Sequence, residues 1–382
     1  MKIVIAPDSF KGSLTSPEVC RAIDEGVRRA LPDAETVLVP MADGGDGTAR
    51  TLVEGTGGEL LSAAVTGPLG EIVDAEYGIL GDQSTGVIEM AAASGLVLVP
   101  PTERNPLHTT TRGTGDLIKL ALDRGCRSLI VGIGGSATTD GGMGMAQALG
   151  ARFLDADGGE MAGIGQNLGR VASIDISGLD PRARDATVRV ACDVDNPLYG
   201  ITGAAHVYGP QKGATPEIVD ELDDGLRAYA QVVTRDVGIE VADLSGAGAA
   251  GGLGAGLVAF CGATLEPGVD IVIEAVGLAE KTIGAEIVFV AEGGMDSTTA
   301  YGKTPAGVAK VGLDQGCVIL ALAGSVSEDA RQLHEHGFCA LRSIVNGPIS
   351  LDDAMEPETA SRLTAFAAEE MLRAYLAGRS RT

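Results

Sequence analysis

Apolar and polar positions alternate in two distinct rhythms along this chain. At the N-terminus the short apolar run 2–6 reads as a buried strand, and Pro7-Asp8-Ser9-Phe10-Lys11-Gly12 as the loop beyond its carboxyl end. A helix follows: Thr15 and Glu18 match a capping box, Pro17 sits in its first turn, and Val19, Ile23 and Val27 recur every four residues. Residues 36–39 form a second strand, and 286–290, 317–321 and 340–345 three more, separated by helical stretches. The last periodic segment, 359–376, places Leu363, Phe366 and Leu372 on one helical face for packing. Strand, loop and helix in repeated order predict a doubly wound parallel sheet built from both chain ends.

Between these ends the rhythm changes. Segments 59–65, 71–80 and 85–90 read as three consecutive short strands joined by turns, 116–122 as a helix, and 128–133 and 188–192 as further strands. We therefore expect an α/β protein of two domains. Residues 1–60 and 285–382 form the doubly wound domain, and 61–284 an inserted domain with a mixed sheet.

Composition sharpens this picture. A chain of 382 residues suits two domains, and an aromatic content of 3%, no Trp and 56 Gly call for an aliphatic core with many tight turns. The formal charge of −24 opposes nucleic-acid backbones and anionic membranes, so neither is expected as a partner. Six cysteines without a CxxC pair, a short N-terminal apolar run and no long uncharged stretch point to a soluble, cytoplasmic protein with reduced thiols. Homo-oligomerisation is compatible with all of this.

In so acidic a protein an anionic substrate requires local positive charge, which makes lysines and glycine-rich loops the first candidates. Asp8 and Lys11 lie beyond the carboxyl end of the first strand, where ligands collect in parallel sheets. Asp43-Gly44-Gly45-Asp46-Gly47 sets two carboxylates among glycines, a pattern suited to a hard cation or sugar hydroxyls as well as to a plain turn. Thr111-Arg112-Gly113-Thr114-Gly115 offers an arginine and N–H donors at a helix start. Gly134-Gly135-Ser136-Ala137-Thr138-Thr139-Asp140-Gly141-Gly142 follows a buried strand and can turn N–H groups and hydroxyls toward phosphate. Asp193-Val194-Asp195 ends another strand, and Gln211-Lys212-Gly213 is a turn carrying a lysine.

Two motifs mimic nucleotide fingerprints. Gly246-Ala247-Gly248-Ala249-Ala250-Gly251 matches GxGxxG, but only a broken apolar run precedes it. Gly302-Lys303-Thr304 resembles the end of a Walker A loop, but Ser297 stands where its first glycine belongs, so no P-loop is expected.

Taken together, the loops 6–12, 42–48, 112–116, 134–142, 192–198, 209–213 and 292–305 resemble, in order, the motifs of the bacterial glycerate kinase family, type I. The resemblance implies a flavodoxin-like domain from both chain ends with an inserted domain similar to the restriction-endonuclease fold. It also implies ATP- and Mg²⁺-dependent phosphorylation of D-glycerate, usually at the 2-hydroxyl, in a cleft between the domains. On this reading Lys11, Lys212, Lys303 and Arg112 neutralise the phosphates and the glycerate carboxylate, with Asp8, Ser9 and Asp296 also contacting substrate. The N–H groups of Gly134, Gly135, Ser136, Thr138 and Thr139 hold ATP phosphates. Asp43, Asp46, Asp193 and Asp195 are candidates for Mg²⁺ ligation or for accepting the hydroxyl proton, Asp193 being the preferred base. The chain departs from the family pattern at Gly294, where an arginine is usual, and at Thr298, where a glutamine is usual. Two readings from other classes remain: an NAD-dependent hydroxy-acid dehydrogenase, resting on the GxGxxG match, and a non-catalytic organic-acid sensor.

Overall fold

A computed structural model describes residues 1–45 and 47–379. The chain divides into two compact units. The first comprises Met1–Asp43, Glu54–Thr56 and Val269–Thr382, and the second Gly44–Val53 and Gly57–Gly268. The expected division at 60/61 and 284/285 was read from the change in strand rhythm, whereas this one follows contact, and it leaves the helices Gly268–Ala275 and Leu278–Thr282 largely with the first unit.

The first unit holds a five-stranded, wholly parallel sheet. Across it the strands run Phe338–Ser343, Val318–Val326, Ile287–Met295, Lys2–Ile5 and Glu35–Leu38. Numbered along the chain within this unit, that order is 5-4-3-1-2, which is flavodoxin-like. Parallel strands covered by helices are buried on both faces, which is why these segments read as near-continuous apolar runs. Ile3, Ile5, Phe289, Leu320 and Leu322 pack with Ile23, Val27, Leu363 and Leu372 of the helices Ser16–Ala30 and Pro357–Arg379. Each such side chain contributes roughly 1.5–3 kcal/mol on burial. The helix Ser16–Ala30 starts as its pattern predicts, with the Glu18 carboxylate accepting from the Thr15 N–H and hydroxyl at 2.8 and 2.7 Å. In this topology the direction of winding reverses between Lys2–Ile5 and Ile287–Met295, so ligands are expected beyond the carboxyl ends of those two strands.

The second unit carries a six-stranded mixed sheet ordered Thr264–Glu266, Thr187–Ala191, Ser128–Gly132, Thr85–Glu89, Ile72–Ile79 and Glu59–Thr66. The first four are mutually parallel, and the last two form an antiparallel meander with Thr85–Glu89. Its core is aliphatic, with one aromatic group in which Phe153 meets Tyr229 and Phe260 at ring-centroid distances of 6.1 and 5.8 Å. The helix Pro216–Val237, the short ladder of Arg152–Leu154 with Ser173–Asp175, and the edge strand Thr264–Glu266 complete it.

The GxGxxG match receives a different explanation. No strand leads into it; Gly251 and Gly252 lie inside the kinked helix Ala249–Cys261 with left-handed backbone. A Cβ on Gly251 would stand 1.9 Å from the Thr138 carbonyl oxygen. This glycine is needed because one backbone packs directly against another, a use unrelated to a dinucleotide. Among the described residues no helix is long and apolar enough to cross a membrane.

Candidate active site

In the first unit the chemistry gathers at the point where the sheet reverses. The Ala6 and Asp8 N–H groups donate to the Phe289 and Ala291 carbonyls, each at 2.8 Å, so the loop leaves the sheet with Asp8 held beside the neighbouring strand. One Asp8 oxygen accepts the Ser9 N–H at 2.6 Å, and the other accepts the Thr304 hydroxyl at 2.8 Å. Burial pushes the Asp8 carboxyl up, and the nearby Asp43 charge pushes it further. Lys11 reaches Asp43 at 3.2 Å from a largely exposed position.

The facing strand contributes Glu292. Its carboxylate accepts the Thr299 hydroxyl at 2.6 Å, and burial raises its pKa. Asp296 caps the turn Ser297–Ala300, accepting the Thr298 N–H at 2.8 Å and the Thr298 hydroxyl. These bonds, with Lys303 nearby, hold Asp296 below its usual range. The Lys303 ammonium lies 3.6 Å from Asp296, at the position that caps the helix Thr304–Asp314. Asp8, Ser9, Lys11, Asp43, Asp296 and Lys303 therefore form one neighbourhood. Glu292 belongs to it and was not singled out from sequence. An acid ending the strand beside the reversal point was the available signal. At the two departures, Thr298 turns its hydroxyl to Asp296, and Gly294 presents bare exposed backbone on which a Cβ would stand 3.0 Å from the Ser325 Oγ.

In the second unit three parallel strands end in register, Glu89 opposite Gly132 and Gly132 opposite Ala191. The loop 133–142 and Asp193 therefore emerge from one sheet edge. Glu89 also stands there, accepting the Gly47 and Ala49 N–H groups at 3.1 and 2.7 Å, and sequence reading passed over it. Asp193 is exposed and accepts the Gly268 N–H at 2.9 Å; Asp195 is exposed two residues on.

The glycine-rich loop is asymmetric. Its carbonyls point into the protein: Gly135 accepts the Leu96 N–H at 2.8 Å, Ala137 the Thr109 hydroxyl at 3.0 Å, and Thr138 the Lys212 ammonium at 2.6 Å. Among the described residues no protein acceptor takes the N–H of Gly134, Gly135 or Ser136. Gly134 and Gly135 are exposed and Ser136 nearly buried, whereas Thr138 and Thr139 are fully buried and their hydroxyls have no hydrogen-bond partner. Among the described residues the loop thus leaves three consecutive N–H groups without a protein acceptor, two of them on exposed glycines, and keeps the Thr138 and Thr139 side chains buried.

Lys212 is also inward. It is 1% exposed, and burial brings its pKa down to about 7. Its ammonium is accordingly seated against the Thr138 carbonyl, away from the solvent-exposed surface. Arg112 is exposed and lines a cavity of about 610 Å³ with His108, Thr110, Gln147 and Glu160. Asp46 lies outside the described residues. Among those described, no three or more His, Cys, Asp or Glu side chains converge as a metal cage.

Comparison with known proteins agrees with this architecture. Residues 3–376 match the model of the glycerate kinase family. The chain is 52% identical over 356 residues to a glycerate kinase of Bacillus subtilis strain 168, covering 93% of each protein. It is 51% identical over 354 residues to a glycerate 2-kinase of Escherichia coli K12, again covering 93% of each. It is also similar to a crystal structure from Salmonella typhimurium LT2 assigned to a glycerate kinase 2, with a TM-score of 0.92 and 49% identity over 100% of this chain and 99% of that one.

Proposed function

Because the chain belongs to the glycerate kinase family, and is by that membership a phosphotransferase, we propose that it transfers the γ-phosphoryl group of ATP to the 2-hydroxyl of D-glycerate. The observation that carries this reading is the acid and lysine neighbourhood of Asp8, Lys11, Asp43, Glu292, Asp296 and Lys303 at the reversal point of the first unit's sheet. Phosphoryl transfer asks a protein chiefly for positioning and charge neutralisation, and that neighbourhood supplies both.

In this proposal Lys11 and Lys303 neutralise phosphate and carboxylate charge, and Asp8, Ser9 and Asp296 orient the acceptor. The outward N–H groups of Gly134, Gly135 and Ser136 hold nucleotide phosphates. Asp193, exposed at a strand end, accepts the proton of the attacking hydroxyl, and Arg112 is a second carboxylate or phosphate contact. Mg²⁺ keeps several waters and takes one or two carboxylates plus phosphate oxygens, so it would need no all-protein cage. Asp43 in the first unit or Asp195 in the second is the described carboxylate proposed to hold it, and Mg²⁺ bound there would neutralise phosphate charge. That groups from both units serve a single reaction is part of the proposal.

An assay for ADP release over a panel of small hydroxy acids tests it. The expected result is ADP formed with D-glycerate and little without an acceptor. Glycerate binding with no ADP formed would favour the sensor reading instead, and a change in nicotinamide absorbance on adding a hydroxy acid the dehydrogenase reading.

A further inference from the structure

We propose that Lys212 is a positioning residue: buried beneath the loop 134–142, it holds that loop in the shape that presents Gly134, Gly135 and Ser136 to the nucleotide. This rests on reading the loop as the phosphate site.

Lys212 is fixed before its side chain begins. It ends the short turn Pro210–Lys212, its own N–H donates to the Gly209 carbonyl at 3.0 Å, and Gly213 closes the turn against the Arg104 backbone. The side chain runs inward and delivers its ammonium to the Thr138 carbonyl at 2.6 Å. Thr138 lies two residues beyond Ser136, so this bond turns the peptide's oxygen inward at the base of the donor stretch.

The other half of the anchor is Asp140, whose side chain is fully buried. Its carboxylate accepts four hydrogen bonds, from the Thr111 N–H and hydroxyl at 2.8 Å each and from the Gly142 and Gly144 N–H groups at 3.1 Å each. Burial pushes this acid up against those four donors, while its charge favours the protonated Lys212. The groups around Lys212 that bear on its charge are Asp140 and, through Asp140, the Tyr229 phenol. Among the described residues the buried hydroxyls of Thr138, Thr139 and Tyr229 have no hydrogen-bond partner. The Lys212 donor to Thr138 and the four donors to Asp140 are therefore the bonds that tie the base of the loop to its surroundings. Asp140 also ties Thr111, next to Arg112, to the same loop.

The test compares steady-state kinetics of full-length variants. Lys212→Met keeps the aliphatic stem and removes the donor. The expected outcome is a folded enzyme whose KM for ATP rises about tenfold, because the loop's N–H donors are no longer held in place, while the KM for glycerate stays within about twofold. A merely structural lysine would lower the amount of folded enzyme without separating the two KM values. Should Lys212→Met fail to fold because Asp140 is left as a lone buried charge, Lys212→Met/Asp140→Asn removes both charges, and the same selective rise in ATP KM is expected of it. An unchanged ATP KM in whichever of these enzymes folds overturns the inference. Gly134→Pro, which deletes one outward N–H, serves as the control for the underlying reading. If it raises the ATP KM and the Lys212 enzyme does not, the inference alone falls; if neither raises it, the phosphate-loop reading falls with it.

Discussion

Asp8 shows how individual residues in this protein trade stability for chemistry. A carboxyl raised by burial and by Asp43 binds its proton more tightly in the native chain than in the unfolded one. Stability is then lost as pH rises from the usual carboxylate range through the raised value, and the ionised native acid is a cost at neutral pH. Asp8→Asn is accordingly expected to keep or raise the melting temperature while lowering kcat/KM about 100-fold, and a variant that loses stability and keeps activity would refute this role. Lys212 gives the opposite sign of titration. Its native pKa of about 7 lies below the 10.5 of a free lysine, so the unfolded chain binds more protons between those values and stability rises with pH across that window. Melting curves from pH 6.5 to 9 are expected to show this rise in the native sequence and a flatter response in Lys212→Met. The seat of Lys212 was not legible in the sequence, because a lysine in Gly-Pro-Gln-Lys-Gly reads as a surface turn. Its acceptor lies 74 residues away, and Asp140 is anchored to Thr111 across 29. Lys11 was more accessible, since a strand followed by a capped helix fixes where its loop must lie.

Elements were legible where one periodicity ran unopposed. The five strands of the first unit and the helix Ser16–Ala30 follow from apolar runs and a capping box alone. The helix Ala249–Cys261 was obscured because its glycines answer to packing and its mean apolarity gives no face. Gly251 within it and Gly262, which caps its C-terminus, separate these effects. Gly262 has φ +65° with nothing within 4 Å of a built Cβ, whereas Gly251 has φ +68° and meets the Thr138 oxygen at 1.9 Å. Gly262→Ala is expected to cost about 1 kcal/mol, the penalty of left-handed backbone, and Gly251→Ala about 3 kcal/mol more. Equal losses in chemical denaturation would show that the helix does not press on the loop as described. The short ladder of Arg152–Leu154 with Ser173–Asp175 escaped sequence reading because three-residue strands carry too little alternation to be distinguished from loop.

At the scale of the whole molecule, each unit carries part of the proposed machinery, Lys11 in the first and Asp193 in the second. If both act on one transition state, Lys11→Ala and Asp193→Asn should each reduce kcat by about 100-fold with far-UV circular dichroism unchanged, and near-normal turnover in either would remove that residue from the mechanism. The net charge of −24 makes the concentration of lysine donors near the loops a necessity for anionic substrates, and that much could be reasoned from composition. Phosphorus NMR of the chain incubated with Mg²⁺, ATP and D-glycerate is the most direct measurement. The account predicts a phosphomonoester signal coupled to the C2 proton of glycerate, growing as the γ-phosphate signal of ATP declines. Release of inorganic phosphate alone, or an unchanged ATP spectrum, would contradict it.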